Sequence, residues 1–275
     1  MAAGIMVRSI CKLLSDKKQD PAIITMDDAG KNVISLLSGH LGGANDLTLK
    51  IAKLTSAKPI ITTSTDVHGY IGIDALARKY YWEIKDVDKI VKFNSALLNG
   101  EKIIIEAPNS FKYLLEDSLF NRGYKLVKGR DETIRAVLDE DEILIKPRKL
   151  VAGIGTRKGV GEERIIEGLK RTLALLNLPL GRIDVIATGE MKKEERGIIN
   201  ASEILEVPLE IVDLIDLKLE DTYSRSRFVE DKFGVGSVCE AAALHVAGER
   251  SQLIIRKTTY NGIAIAIAVS REKVF

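Results

Sequence analysis

Cysteine is nearly missing from this chain. Cys11 and Cys239 stand alone in 275 residues, so neither a disulfide framework nor a zinc-binding spacing exists. An excess of one charge is missing too: 41 basic residues face 39 acidic ones, a formal charge of +2. That balance excludes a general nucleic-acid binder, which needs a concentrated basic surface, but leaves room for a local basic pocket. No window reaches the ~18 unbroken apolar residues of a membrane span. The start, Met1 to Arg8, lacks the basic, apolar and small-residue pattern of a signal peptide. No repeat of fixed period is found. A cytoplasmic protein, with no membrane and no nucleic acid among its partners, is the expectation.

What is present is a globular composition, 45% hydrophobic and 29% charged, over a length that suits two domains. Two short glycine-rich stretches stand out. Ser38-Gly39-His40-Leu41-Gly42-Gly43-Ala44-Asn45-Asp46 and Gly153-Ile154-Gly155-Thr156-Arg157-Lys158-Gly159 each follow a strand-like run and precede a helical pattern. Glycine allows φ > 0 and close approach of a ligand to the backbone. A helix N-terminus offers free N–H groups to an anion. Two such turns, far apart in sequence, point to a two-lobed cleft that grips something anionic.

The chain alternates strands and helices at both ends. Strands are predicted at 21–26, 32–37 and 59–63, with a helix over 45–54 capped by Asn45 or Asp46. Residues 72–82 read as helical. The stretch 83–146 is less regular, with a strand at 103–106, helical spacing over 109–120, and no chemistry-bearing cluster. The α/β rhythm restarts at 149–154. A helix follows at 161–176 with Val160, Ile165, Leu169, Leu173 and Leu176 as its stripe. A strand at 183–187, a helix over 192–205 and a strand at 207–212 come next. Gly234 to Leu244 opens another helix, and the turn Asn261-Gly262 closes a terminal hairpin. The fold class is therefore α/β: two α/β domains with mainly parallel sheets joined by a small middle region, the C-terminal sheet mixed. The expected boundaries are 1–66, 67–147 and 148–275.

Each candidate residue has a functional reading beside a plain one. His40, between glycines at a strand end, reads as a ligand contact or an acid–base group, or as a surface histidine in a tight turn. Gly39, Gly42 and Gly43 serve close backbone approach, Ser38 begins the turn, and Asn45 is a cap, a ligand contact or both. Thr62 to Asp66 places hydroxyls, Thr63 and Thr65 among them, and one carboxylate at a neighbouring strand end, where α/β sheets bind ligands; the alternative is a polar turn capped by Asp66. His68 is a weaker candidate. The turn with Gly153, Gly155 and Gly159 has the wrong spacing for a dinucleotide fingerprint and no following Ser or Thr for a P-loop. Thr156, Arg157 and Lys158 suit a carboxylate ligand there. Thr188, Lys192 and Glu195 follow the next strand, with Lys192 and Glu195 able to face one cleft. Ser237 precedes a helix whose Glu240 either complements the dipole or transfers protons. Cys239 as a nucleophile lacks an assignable partner, and His245 reads as a packed helix residue.

These stretches, in this order, resemble the cobalamin-biosynthesis protein G family, the cobalt-precorrin-5A hydrolases. The resemblance rests on Ala3 to Arg8, Asp16 to Pro21, Ile34 to Asn45 and Ile61 to Asp66. In the second half it rests on Gly153 to Gly159, Ala187-Thr188 with Lys192 and Glu195, and Ser237 to Leu244. Family members usually carry a further N-terminal segment before the Ala3-Gly4-Ile5 stretch; either this start is late or the segment is missing, and in the second case the first βα unit is expected to be absent and a sheet edge exposed. The resemblance implies a substrate that is a cobalt-bearing polycarboxylate tetrapyrrole with a δ-lactone, opened by water with loss of acetaldehyde. It implies no cofactor and no protein metal, because the cobalt arrives inside the substrate. Neighbouring corrin-pathway enzymes and a second copy of the chain are the further expected partners. Acid–base candidates are His40, Asp66 and Glu240. Ser38, Gly39, Gly42, Gly43, Asn45, Thr63, Thr65, Gly153, Gly155, Thr156, Arg157, Lys158, Thr188, Lys192 and Ser237 are expected to bind substrate. A corrinoid carrier without catalysis and a nucleotide-binding α/β protein are the rival readings.

Overall fold

The computed structural model describes residues 1–15, 20–40, 42–131 and 133–271. Of the motif stretches quoted above, positions 16–19 and Leu41 lie outside the described residues. The chain forms two compact units. One gathers Met1–Arg78, Ile84–Pro108 and Asp117–Ile145; the other gathers Lys79–Glu83, Asn109–Glu116 and the described part of Lys146–Phe275.

The first unit begins with helix α1 (Ala3–Ile10) and strands β1 (Ile23–Met26) and β2 (Asn32–Leu37). The two strands pair antiparallel. Asp27 closes their turn, its carboxylate accepting from the backbone N–H groups of Lys31 and Asn32, and Gly30 supplies φ +67°. Helix α2 (Ala44–Thr55) then carries the chain to β3 (Lys58–Ile60), which runs parallel to β2. This is the expected βαβ crossover, and only β1 departs from a parallel sheet, because so short a turn cannot make a crossover. The short helix α3 (Ser64–Val67) follows. Helix α4 (Ile73–Lys79) ends before the expected Trp82, because Tyr81 takes φ +56° and Trp82 opens β4 (Trp82–Ile84).

The middle stretch is more regular than its sequence suggests. Helix α5 (Ile90–Leu98), β5 (Ile103–Ala107), α6 (Ser118–Gly123), β6 (Tyr124–Lys128), β7 (Ile134–Leu138) and β8 (Asp141–Pro147) follow in order. β5 pairs parallel with β6 and antiparallel with β7, and β7 pairs antiparallel with β8. Alternate residues Ile134, Ala136 and Leu138 are buried, the period-2 pattern of a strand with one face on the core. Phe93 and Leu97 of α5 and Phe120 of α6 are fully buried.

The second unit holds β9 (Leu150–Thr156), α7 (Glu162–Ala174), β10 (Val185–Gly189), α8 (Arg196–Ile204), β11 (Leu209–Val212), α9 (Leu214–Leu219), α10 (Arg227–Phe233), α11 (Val238–Ala247), β12 (Gln252–Tyr260) and β13 (Ile263–Val269). Its sheet order is β11-β10-β9-β13-β12. The first three strands are parallel and the terminal hairpin is antiparallel, the mixed sheet that the Asn261-Gly262 turn predicts. On α7 the stripe Ile165, Leu169 and Leu173 is fully buried, each side chain contributing about 1.5–3 kcal/mol. The helix expected from Lys192 starts only at Arg196, after a single 3-10 turn over Glu190–Lys192.

Helix α11 lies on β9 and β10 with Ala241, Ala242 and Ala243 fully buried. Gly153 makes this approach possible: a Cβ there would stand 1.9 Å from the Cys239 carbonyl oxygen. Gly153 is therefore a packing residue and not the ligand contact the sequence suggested.

Candidate functional site

In the first unit the glycine turn after β2 is built around its backbone. Ser38 takes φ +55° and Gly43 φ +88°. The Ser38 and Gly39 carbonyls accept from the N–H groups of Ala44 and Asn45. Gly43 caps α2 in the left-handed region, where a Cβ would fall 1.9 Å from the Arg78 guanidinium. Asn45 is thus no cap. Its side chain turns to the Ser35 and Thr63 hydroxyls and donates to Asp66 Oδ2 at 3.0 Å. Gly39 and Gly42 leave room for this, since a Cβ on Gly39 would meet Asn45 Oδ1 at 2.8 Å and one on Gly42 would meet the Ser38 Cβ at 2.4 Å. The Ser38 hydroxyl is buried with no hydrogen-bond partner among the described residues.

His40 lies at the centre. Its Nε2 is 2.7 Å from Asp66 Oδ2 and its Nδ1 is 3.0 Å from Asp74 Oδ2. The Thr65 hydroxyl is 3.4 Å from Nε2. The His40 and Asp74 side chains are 9% and 2% exposed, and Asp66 is 36% exposed. Burial pulls the His40 pKa down, but the hydrogen bonds and charges of Asp66 and Asp74 outweigh it and raise it to about 9. The ring is therefore an imidazolium at neutral pH. Burial raises the Asp74 pKa, yet the His40 cation and the Asn94 amide hold it below the usual carboxylate value. His40, Asn45, Thr63, Thr65 and Asp66 thus converge as the sequence suggested. Asp74 was missed because a lone aspartate at a helix start reads as ordinary dipole complementation. His68 stays apart, its Nδ1 2.8 Å from the Ser64 carbonyl oxygen.

In the second unit a cleft of about 1500 Å³ opens beside the carboxyl end of β9. Gly155, Thr156, Arg157, Lys158, Lys192 and Ser237 of the predicted set line it. Arg196, Lys257 and Asn261 line it as well, unsignalled by any local motif. Arg157 anchors its loop through its own N–H to the Gly262 carbonyl. Glu195 accepts from the Gly159 N–H at 3.0 Å and from Lys192 at 2.9 Å, so Lys192 and Glu195 do share this cleft. Among the described residues no ion pair involves Arg157, Lys158, Arg196 or Lys257.

Other predicted residues have different roles here. Thr188 is fully buried and donates its hydroxyl to the Ile154 carbonyl at 2.7 Å, so it braces β10 against β9 and does not line the cleft. Glu240 is fully buried, accepting from the Ser224 N–H, the Ser224 hydroxyl and the Lys257 N–H. Burial raises its pKa, but those donors win and lower it. It pins the loop before α10 to β12, a positioning role in place of proton transfer. Burial pushes the Cys239 thiol up to about 11, which disfavours a thiolate. His245 is exposed, with Glu220 and Asp216 3.5 and 3.9 Å away, and is not the packed residue expected. Among the described residues no group of three His, Cys, Asp or Glu could hold a metal ion, and no helix is long and apolar enough to cross a membrane.

Comparison with known proteins gives two matching family profiles. Residues 1–66 match the cobalamin synthesis G N-terminal profile and residues 150–268 match the cobalamin synthesis G C-terminus profile. A Methanocaldococcus jannaschii protein named "Probable cobalt-precorrin-5A hydrolase" is 33% identical, over 98% of this chain and 83% of its own length. The cobalt-precorrin-5A hydrolase of Salmonella typhimurium is 31% identical, over 98% of this chain and 80% of its own. The crystal structure of a cobalamin biosynthesis protein G homolog from Sulfolobus solfataricus superposes with a TM-score of 0.59 at 29% identity, over 98% of this chain and 81% of that one. With both family segments in order and relatives aligned over nearly its whole length, the chain belongs to the cobalamin synthesis G family.

Proposed function

We propose that this protein is a cobalt-precorrin-5A hydrolase: water opens the δ-lactone of a cobalt-bearing, ring-contracted tetrapyrrole to a carboxylate and a hydroxyl on the former bridging carbon. That hydroxyl loses its proton as the bond from its carbon to the ring breaks, the electron pair passes to the macrocycle, and the carbon leaves with its methyl as acetaldehyde. The observation that carries the reading at this chain's own residues is the cleft of the second unit, where Arg157, Lys158, Arg196 and Lys257 form no ion pair among the described residues. Its volume exceeds the ~300–1,000 Å³ of ordinary small-molecule sites, as a large macrocycle requires. Unpaired cations in a concave wall suit the many carboxylates of such a substrate, and arginine can take one bidentately.

Lactone opening needs a group to take a proton from water and a donor for the oxyanion that develops. The His40 centre offers both in one unit. The His40 cation supplies an N–H donor beside the more exposed Asp66, whose carboxylate can accept the proton of an attacking water. The cobalt belongs to the substrate.

The test is anaerobic incubation with cobalt-precorrin-5A and trapping of acetaldehyde. Enzyme-dependent acetaldehyde with a matching mass loss from the corrinoid is expected, as is a loss of about 10²–10⁴ in rate for His40→Ala. Corrinoid binding by folded wild type with no acetaldehyde would replace the hydrolase with a carrier.

A further inference from the structure

Residues 67–149 lie outside both matched family segments. Yet His40 is held from there. We propose that Asp74 and Asn94 are the positioning residues of His40, a hydrogen-bonded chain through the buried Asp74 that fixes the ring and aims its Nε2 edge at Asp66 and the reacting group. The inference rests on the reading of His40 as a participant in hydrolysis.

The geometry is over-determined. Asp74 Oδ2 meets His40 Nδ1 at 3.0 Å, and Asn94 Nδ2 donates to Asp74 Oδ1 at 3.0 Å. The Asn94 amide cannot reverse, because its Oδ1 accepts from the Ile73 N–H at 2.9 Å. Gly72 closes the space: a Cβ there would stand 2.8 Å from Asp74 Oδ1 and 3.0 Å from Asn94 Nδ2. Behind it, Tyr124 donates to the Ile71 carbonyl at 2.7 Å and holds the segment that enters α4. A carboxylate only 2% exposed is costly unless paired, and among the described residues the one ion pair of Asp74 is with His40. The other nitrogen of that partner meets Asp66, the more exposed of the two carboxylates. A buried acceptor on one ring nitrogen sets what the other nitrogen can do.

The charged and titratable groups around the ring are few. Asp66 and Asp74 face its nitrogens, Arg78 reaches the His40 carbonyl at 3.3 Å and Asp46 at 2.7 Å, and the buried Tyr124 phenol lies near Asp74. Removing the Asp74 charge should thus be felt directly at His40.

The experiment is an imidazole NMR titration of the full chain, with His68 and His245 as internal controls, in wild type, Asp74→Asn and Asn94→Ala. In Asp74→Asn the His40 midpoint is expected to fall from about 9 toward 6.5 while His68 and His245 stay in place. Turnover of cobalt-precorrin-5A should lose about tenfold or more in kcat with KM nearly unchanged, because the variant disturbs a donor that acts on charge developing only in the transition state. A smaller shift of the same sign is expected in Asn94→Ala. A folded Asp74→Asn whose His40 midpoint and kcat match wild type overturns the proposal. Should Asp74→Asn not fold, an unmoved His40 in folded Asn94→Ala overturns it instead. Wild type that makes no acetaldehyde would sink the hydrolase reading alone, since the titration is read without substrate.

Discussion

Asp66 brings its Oδ2 to 2.7 Å from His40 Nε2, across 26 residues of chain, and so closes the second of two carboxylates on one imidazole. The pair with Asp74 makes stability depend on pH. A histidine whose folded pKa is raised contributes stability that is fully present below its unfolded value and is lost as pH rises through the folded one. From 6.5 to about 9 that loss is on the order of 3 kcal/mol. Denaturation midpoints should fall between pH 6.5 and 9. The slope should vanish in His40→Gln, and an equal slope in that variant would refute the assignment.

Gly153 faces the Cys239 carbonyl too closely for any side chain. Gly153→Ala must push α11 off β9, with a cost of about 1–3 kcal/mol or more. Thermal unfolding measures it. Gly155→Ala is the control, because its Cβ would meet only the Ala264 Cβ at 3.9 Å. That variant should unfold within about 1 kcal/mol of wild type.

Glu240 is expected to matter through the loop it pins. Glu240→Ala leaves the Ser224 and Lys257 donors without their acceptor, at about 1–3 kcal/mol for each buried group left unpaired. Hydrogen exchange at Ser224 and Lys257 should rise. If Glu240 instead transferred protons, Glu240→Gln would abolish turnover while leaving exchange and melting unchanged.

The cations of the cleft should act on binding. Each of Arg157→Ala and Lys158→Ala removes a charge that forms no ion pair among the described residues, and a charge-assisted hydrogen bond is worth about 1.5–3 kcal/mol. KM or Kd for the corrinoid should rise about tenfold or more per site, with kcat nearly constant and the effect weakened by salt. A fall in kcat alone would place these residues at the chemistry.

Local rules were enough for much of this protein. Apolar runs bounded by glycine and polar turns gave the strands, the 3.6-residue stripe gave α7, and Asn261-Gly262 gave the hairpin that makes the second sheet mixed. The order of the long motifs, Ser38 to Asp66 and Gly153 to Glu240, was enough to point to the family. Each of these signals lies within one element or one turn, where neighbours in sequence are neighbours in space. Tertiary structure alone decided which glycine lines the cleft and which faces a helix. Gly155 lines a cleft while Gly153, two residues away, is covered by α11. It alone turned Glu240 and Thr188 inward onto backbone donors and acceptors. It alone brought Asp74 and Asn94 to His40, because a hydrogen bond between residues 34 apart leaves no trace in the period or composition of either segment.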